Sequence, residues 1–231
     1  MSSVADLPSA EIQPVYPVRV DAAAAPDPQL SRWLWLVKWV LAIPHFVVLI
    51  FLWIAAVFVS LAAFFVILFT GRYPRGLFAF NVGVLRWSWR VNYYGYSALA
   101  TDRYPPFSLG EAPDYPANLA VEYPERLSRG LVLVKWWLLA IPHYILVGRL
   151  GNGLAGLLTL YAAVIKLFTG SYPQSVYDLV LGLRRWALRV TGYAMLLTDV
   201  YPPLRLDMGG PEPAAASPAP VTPAPTAPDL G

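Results

Sequence analysis

The sequence contains two copies of one unit, and this duplication constrains the fold more than any other feature. The repeated motifs are Val-Lys-Trp followed by Ile-Pro-His (residues 37–45 and 134–143), Leu-Phe-Thr-Gly (68–71 and 167–170) and Thr-Asp-x-Tyr-Pro-Pro (101–106 and 198–203). The offset between the copies is 97 residues at Val-Lys-Trp, 98 at Ile-Pro-His, 99 at Leu-Phe-Thr-Gly and 97 again at Thr-Asp. Because the offset changes so little, we predict one structural unit that is built twice and differs by small insertions.

Most of each copy is apolar. Of the 231 residues, 57% are hydrophobic and 13% are charged, whereas soluble domains carry about 25% charged residues. We therefore predict an all-α integral membrane protein. The chain has no cysteine, which excludes disulfides, thiolate metal sites and cysteine nucleophiles.

Each copy begins with an apolar run that is nearly twice as long as the roughly 20 residues one membrane span needs. The run from Trp33 to Phe69 is either one kinked, over-length helix or two spans joined by a tight turn. In the second copy, residues 148–153 (Gly-Arg-Leu-Gly-Asn-Gly) interrupt the run, and an arginine at mid-bilayer costs at least about 2.5 kcal/mol. This favours two helical hairpins. The predicted spans lie near 32–51, 54–70, 130–148 and 153–170.

The arginines predict the topology. In a hairpin arrangement twelve of the fourteen arginines lie on one side of the bilayer, which the positive-inside rule makes cytoplasmic, and Arg149 lies at a hairpin tip. The segments near 75–99 and 174–197 carry arginines beside Trp or Phe, which favours amphipathic helices lying in the membrane interface over the alternative of further spanning helices. We therefore expect a multi-pass protein of the cytoplasmic membrane with both termini in the cytoplasm.

Four parts make up the predicted organisation. They are a disordered N-terminus (1–15), membrane repeat 1 (16–110), membrane repeat 2 (111–208) and a disordered tail rich in Pro and Ala (209–231). Short extended candidates at 18–20, 107–109, 119–121 and 204–206 are bounded by Tyr-Pro and Pro-Pro steps. These segments predict a small cytoplasmic β-sheet.

A duplicated Arg-Trp-x-x-Arg pattern is the strongest candidate for a binding site. Arginines four residues apart project from one helix face, and guanidinium groups suit carboxylates and lipid phosphates. One interpretation is internal ion pairing with Asp102 and Asp199, and the other is a site for anionic lipid or a protein partner. The candidate residues for lipid or partner binding are Arg72, Arg75, Arg86, Trp87, Arg90, Arg185, Trp186 and Arg189.

The two histidines form a second candidate site inside the apolar runs. His45 and His143 each follow a proline, Pro44 or Pro142, that frees a helix carbonyl and creates a kink. In one interpretation each imidazole satisfies the polar backbone groups that the kink leaves without hydrogen bonds. In the other, a pseudo-two-fold axis brings the two histidines together as a proton relay or a two-histidine metal site. The possible intramembrane polar site comprises Lys38, His45, Lys135 and His143. Pro44, Pro142, Asp102 and Asp199 have predicted structural roles as kink and turn residues.

Several function classes lack their sequence signals. There is no phosphate-binding glycine loop, no zinc-ligand cluster and no serine-centred triad. We therefore predict no catalytic residues, no cofactor and no metal. The arginines lie beside lipid-facing aromatic residues, which argues against nucleic acid as a partner.

The motifs resemble a known family. They are Val-Lys-Trp (37–39), Ala-Ile-Pro-His (42–45), the strings at 68–75 and 80–87, and the stretch 101–107, and the resemblance covers about residues 16–208. Through them the chain resembles the bacterial membrane family called domain of unknown function 4389. The resemblance implies a bacterial integral membrane protein with duplicated units and no assigned activity. The second copy departs from the pattern at Ser171, Gln174 and Val200, where the first copy has arginine.

The sequence supports two hypotheses for function. The first is a non-enzymatic membrane module that binds anionic lipid headgroups or a protein partner, or forms a homo-oligomer, through a cytoplasmic arginine face. The alternative is a small transporter or channel subunit with paired intramembrane histidines.

Overall fold

The computed structural model describes residues 16–96 and 98–208, and this part of the chain is mostly helical with a small two-stranded sheet. The segments predicted to be disordered, 1–15 and 209–231, lie outside the described residues. The sheet pairs β1 (Val18–Ala22) antiparallel with β2 (Ala117–Val121). Val20 lies opposite Leu119, and both side chains point into the core.

The small sheet confirms two of the four extended candidates. The other two, 107–109 and 204–206, are irregular segments. Around the first of them, arginine side chains bond to the backbone, since the carbonyls of Ser108 and Leu109 accept hydrogen bonds from Arg90 and Arg86. Side-chain donors thus take the place that a neighbouring strand would occupy.

The first apolar run forms a long helix, not the predicted hairpin. It consists of α1 (Trp35–Leu41) and α2 (Ile43–Thr70), and α2 continues without a turn through residues 51–54. Between His45 and Thr70 there is no Gly or Pro to end it. Gly71, at φ 69°, supplies the left-handed residue that does. We call residues 35–70 the first long helix.

The second apolar run is also helical throughout. It consists of α4 (Arg129–Val134), α5 (Ile141–Leu146) and α6 (Ala155–Thr169), joined by π-helical turns at Lys135–Leu139 and Val147–Leu154. The predicted hairpin turn at 148–153 therefore lies inside a helix. We call residues 129–169 the second long helix.

The π turns explain the changing offset between the copies. A π turn holds one more residue than an α turn, so it absorbs an insertion without rotating the rest of the helix. In the second copy, the spacing from lysine to histidine is one residue longer, and the turn at Lys135–Leu139 lies in that interval. A third π turn, Asn92–Tyr96, lies where the first copy has the extra residues.

The helices α3 (Arg75–Val91) and α7 (Gln174–Ala194) form the middle of the protein. The prediction that they lie in the membrane interface is wrong, because both are largely buried by the rest of the chain. On α3, Asn81 and Ser88 bond to α2, whereas Arg86 and Trp89 bond to the sheet. The central helix α3 therefore separates the first long helix from the sheet.

The two long helices run antiparallel. Leu127, just before α4, donates a hydrogen bond to Gly71 at the end of α2, and Lys166 near the end of α6 lines a small cavity with Lys38 of α1. Among the described residues, one helix, α2 with 28 residues, is long and apolar enough to cross a bilayer.

Candidate functional site

Each copy buries one lysine against the aspartate of its Thr-Asp motif. Lys38 Nζ lies 2.7 Å from Asp102 Oδ1, and Lys135 Nζ lies 2.7 Å from Asp199 Oδ1. Each lysine also donates to the carbonyl of the preceding threonine. The other carboxylate oxygen accepts a backbone N–H just before the long helix, from Ser31 in the first copy. Each aspartate thus joins the start of a long helix to the loop that carries its own Thr-Asp motif.

The sequence predicted arginine partners for these aspartates as one interpretation, and the structure gives them lysines instead. Among the described contacts, the ion pairs of Asp102 and Asp199 are made with Lys38 and Lys135. Each lysine also lies over a tyrosine ring of its own copy, 5.1 Å from the Tyr94 centroid in the first. The duplicated lysine and aspartate are therefore structural partners.

His45 lies at the proline kink in a shell of aromatic side chains. Its Nδ1 accepts a hydrogen bond from Trp87 Nε1 at 3.0 Å, and its ring stacks on Phe107 with centroids 3.8 Å apart. Tyr104 packs against the same ring and donates to the Leu41 carbonyl at the kink. Tyr104 thereby satisfies a backbone acceptor at the junction of α1 and α2.

His143 lies in the equivalent shell of the second copy, with weaker contacts. Its ring lies 5.8 Å from that of Trp186 and 4.9 Å from that of Tyr201, and Tyr201 donates to the Leu139 carbonyl. At the sequence position equivalent to Phe107 the second copy has Leu204, which has no aromatic ring to stack on His143. Each histidine thus contacts residues of its own copy, and the paired-histidine transport site stays a prediction.

Of the four arginines of the duplicated pattern, Arg90, Arg185 and Arg189 are buried and Arg86 is half-buried. Three of the four, Arg86, Arg90 and Arg185, bond to backbone carbonyls. Arg86 donates to the Leu119 carbonyl of β2 at 2.8 Å, and Arg185 donates to the Val20 carbonyl of β1 at 3.1 Å. Each arginine therefore binds the strand of the other repeat. Burial lowers the pKa of the Arg86 guanidinium, and the carboxylate of Glu111 opposes this shift.

The second arginine of each pattern fixes an irregular segment. Arg90 donates to the carbonyls of Ser108 and Gly110, and Arg189 pairs with Asp207. Trp87 and Trp186 are buried beside them. Five of these six residues are thus buried and Arg86 is half-buried. Their role in lipid or partner binding stays a prediction.

Arg72 and Arg75, by contrast, are exposed, and the fold brings further arginines to them. The hydrogen bond from Leu127 to Gly71 places Arg126 and Arg129 beside the end of α2. We call Arg72, Arg75, Arg126 and Arg129 the arginine cluster. The equivalent end of α6 has Ser171 and Gln174 in place of the first two, so the cluster exists at one end of the helix pair.

Two groups in these sites escaped the sequence-based prediction. Arg126 and Arg129 lie more than 50 residues from Arg72 along the chain, so only the packing of α2 on α4 reveals the cluster. Tyr104 and Tyr201 contact the histidines, and their recurrence in the Thr-Asp-x-Tyr-Pro-Pro motif was a usable signal.

Comparison with known proteins assigns the chain to a family. A family model described as Domain of unknown function (DUF4389) matches residues 32–108 and 132–204, which is 150 of the 231 residues. The chain belongs to this family. Two matches in one chain confirm the tandem copies, and both the kink and the buried lysine–aspartate pair lie largely within the matched segments. No curated protein and no solved structure matches this DUF4389 chain.

Proposed function

We propose that this DUF4389 protein is a non-enzymatic membrane module that rests on lipid through the outer faces of its long helices and binds anionic headgroups through the arginine cluster. The observation that carries the proposal is the exposed apolar stripe on both helices. On α2 it comprises Ile43, Val47, Ile50, Ile54, Phe58, Leu61, Phe65 and Phe69, and on the second long helix Ile141, Ile145, Leu157, Leu160, Val164 and Phe168.

The spacing of the stripe fits one continuous lipid-facing surface. Its members on α2 follow each other at three or four residues, so they lie on one side of the helix. Apolar patches of this extent are rare on soluble monomers and mark interaction surfaces. Since each side chain is about half exposed, its transfer to hydrocarbon contributes on the order of 1 kcal/mol.

Charged residues on the sheet, away from the apolar stripe, favour an arrangement in which only one face of the protein is immersed in lipid. The outward positions of the sheet include Arg19 and Asp21, and the sheet lies beside the middle of α3, which runs back along α2. If the long helices crossed the bilayer, these charges would lie near its centre at a cost of about 2.5 kcal/mol or more each. We therefore favour helices lying in the membrane plane over the multi-pass topology predicted from the sequence.

The arginine cluster is placed to reach headgroups. It follows directly on Phe69, the last exposed apolar residue of α2, so its guanidinium groups lie next to the lipid-facing stripe. Each basic residue near an anionic surface contributes about 1 kcal/mol to binding. A protein partner at this cluster is the competing hypothesis.

Vesicle binding tests the headgroup part of the proposal. The variant Arg72→Ser/Arg75→Gln gives the first copy the residues that the second copy has at these positions, so the fold should tolerate it. We expect purified protein to bind vesicles of phosphatidylcholine with phosphatidylglycerol about thirtyfold more weakly in this variant, from about 1 kcal/mol per arginine. Binding to phosphatidylcholine alone should not change. Equal binding of both proteins to the anionic vesicles would refute a headgroup role.

Cysteine labelling tests the membrane orientation in this naturally cysteine-free chain. Single substitutions at Gln29, Glu125 and Ala120 probe the two ends of the helix pair and the sheet. Phe51→Cys probes an exposed apolar position of α2 next to Ile50 of the stripe. With one face immersed, the first three react with an impermeant maleimide from the same side of the membrane, and Phe51→Cys reacts only in detergent. Labelling of Gln29→Cys and Glu125→Cys from opposite sides would establish a spanning arrangement instead.

A further inference from the structure

Two adjoining cavities lie between the two long helices, with α3 and α7 as their floor. Their volumes are about 680 Å³ and about 430 Å³, and they share Trp53 and Thr191. The first cavity begins at Phe46 of α2, and the second ends at Phe64. At 1.5 Å per residue, the two cavities together follow about 27 Å of α2. We call them the helix groove.

The helix groove is continuous with the apolar stripe. Ile50 and Ile54 line the first cavity and Leu61 lines the second. All three are stripe residues, and each has more than half of its surface exposed. Because these side chains belong to both surfaces, a hydrocarbon chain can pass from the lipid beneath the stripe into the groove without crossing water.

The polar groups in the walls are already engaged within the protein. Four wall residues each use their hydroxyl group in a hydrogen bond to another protein group; they are Ser60, Ser88, Tyr144 and Thr191. Among the described wall residues, Arg184 is the charged one, and its Nε and Nη2 atoms are fully buried. The remaining walls are mainly aliphatic and aromatic. The groove therefore favours an uncharged, apolar ligand over a charged one.

We propose that the helix groove holds one acyl chain of a membrane lipid, which lies along α2 across Trp53 and is bound through its hydrocarbon part alone. The hydrocarbon core of a bilayer is about 30 Å thick, so one chain covers about 15 Å and fits within the length of the groove. Side chains from both long helices and from the floor surround the chain, and their dispersion contacts retain it. The site requires the lipid-facing orientation of the proposed function but not the arginine cluster.

Quenching of tryptophan fluorescence by a brominated lipid tests the site. The probe is phosphatidylcholine with a dibrominated stearoyl chain, titrated into protein in mixed micelles with a maltoside detergent. The contribution of Trp53 is the difference between the wild type and Trp53→Phe. The reference is Trp39, which is 59% exposed and lies outside both cavities, and its contribution comes from Trp39→Phe. Because a retained chain occupies a site, quenching of Trp53 should reach its midpoint at about one tenth of the brominated-lipid fraction that Trp39 requires.

Alanine-to-phenylalanine substitutions provide a matched set of variants. Ala194→Phe places a ring in the second cavity, and Ala187→Phe places one in the first. Either variant should raise the midpoint for Trp53 to that of Trp39. Ala62→Phe, on the exposed side of α2 and outside both cavities, should leave the midpoint unchanged. Near-UV circular dichroism verifies that each variant is folded.

The outcomes separate this site from the proposed function. Equal midpoints for Trp53 and Trp39 in the wild type, or an unchanged midpoint for Trp53 in folded Ala194→Phe, would overturn the proposal. Dibrominated phosphatidylglycerol should give the same midpoint as the phosphatidylcholine, also in Arg72→Ser/Arg75→Gln, and a midpoint that follows headgroup charge would contradict binding through the chain alone. Absence of quenching at both tryptophans would refute lipid contact of the stripe as well, whereas loss of the low midpoint for Trp53 refutes only this site.

Discussion

Replacing Asp102 with Asn removes the carboxylate that pairs with a lysine buried at the start of the first long helix. Lys38 is 1% exposed and Asp102 is 23% exposed. In Asp102→Asn the ammonium group stays buried beside the Thr101 carbonyl and the Tyr94 ring. Removing one partner of a buried pair costs about 3–5 kcal/mol. We expect the lower end, about 3 kcal/mol, because water reaches the carboxylate side of this pair.

Removing both charges should restore stability. In the double variant Lys38→Met/Asp102→Asn no charge is left unpaired, and well-packed apolar replacements of buried pairs are often neutral. We expect the double variant to be more stable than Asp102→Asn by at least about 2 kcal/mol. Asp199→Asn should behave like Asp102→Asn, since its geometry with Lys135 is the same.

Thermal unfolding in detergent, followed by the fluorescence of the nine tryptophans, measures these effects. A loss of about 3 kcal/mol lowers the Tm by roughly 6–12 °C in a domain of this size. Glu111→Gln is the control, because Glu111 is 65% exposed and lies 3.4 Å from Arg86, so it should cost less than about 1 kcal/mol. The reasoning fails if Asp102→Asn costs no more than Glu111→Gln, or if the double variant is as unstable as the sum of the single ones.

Two further predictions concern the backbone. Deleting Leu138 should convert the π turn at Lys135–Leu139 to an α turn and change the free energy of unfolding by no more than about 1 kcal/mol. Deleting Leu160 from α6 rotates the following residues by about 100° and should prevent folding. Near-UV circular dichroism of the purified variants distinguishes the two outcomes. Gly83→Ala should destabilise by about 1–3 kcal/mol, because its Cβ would lie 2.8 Å from Leu109 Cβ. Gly76→Ala meets no atom within 4 Å and should stabilise by about 0.5–1 kcal/mol in the same unfolding assay. A Gly83→Ala protein as stable as the wild type would contradict the close packing of α3 against the irregular segment that contains Leu109.

The duplication made much of this fold predictable. Motifs that recur at nearly constant offsets predicted equivalent structures, and the strands at 18–22 and 117–121 are indeed partners. The recurring Lys, His and Thr-Asp positions lie together in each copy because the loop that carries the Thr-Asp motif packs against the start of the long helix. What the sequence did not show is the partner of each charge, since Lys38 and Asp102 are 64 residues apart.

The hairpin prediction failed for a physical reason. Glycine and asparagine at 148–153 are typical of a turn, but the same residues tolerate a wider helical turn that takes up an inserted residue. The arginines were misplaced for a similar reason. Arginine beside tryptophan is typical of an interface helix, yet carbonyls of an irregular segment and of a strand can satisfy guanidinium groups in the interior. Sequence periodicity identifies the polar face of a helix and not the acceptors that cover it.

The crossed bonds from Arg86 to Leu119 and from Arg185 to Val20 make the two halves interdependent. If one half were removed, the sheet would lose a strand and the guanidinium group of the remaining central helix would lose its acceptor. A polypeptide that carried a single unit would have to exchange its strand with a second molecule. The tandem arrangement therefore joins two intertwined units in one chain, so that their association does not depend on the encounter of separate molecules.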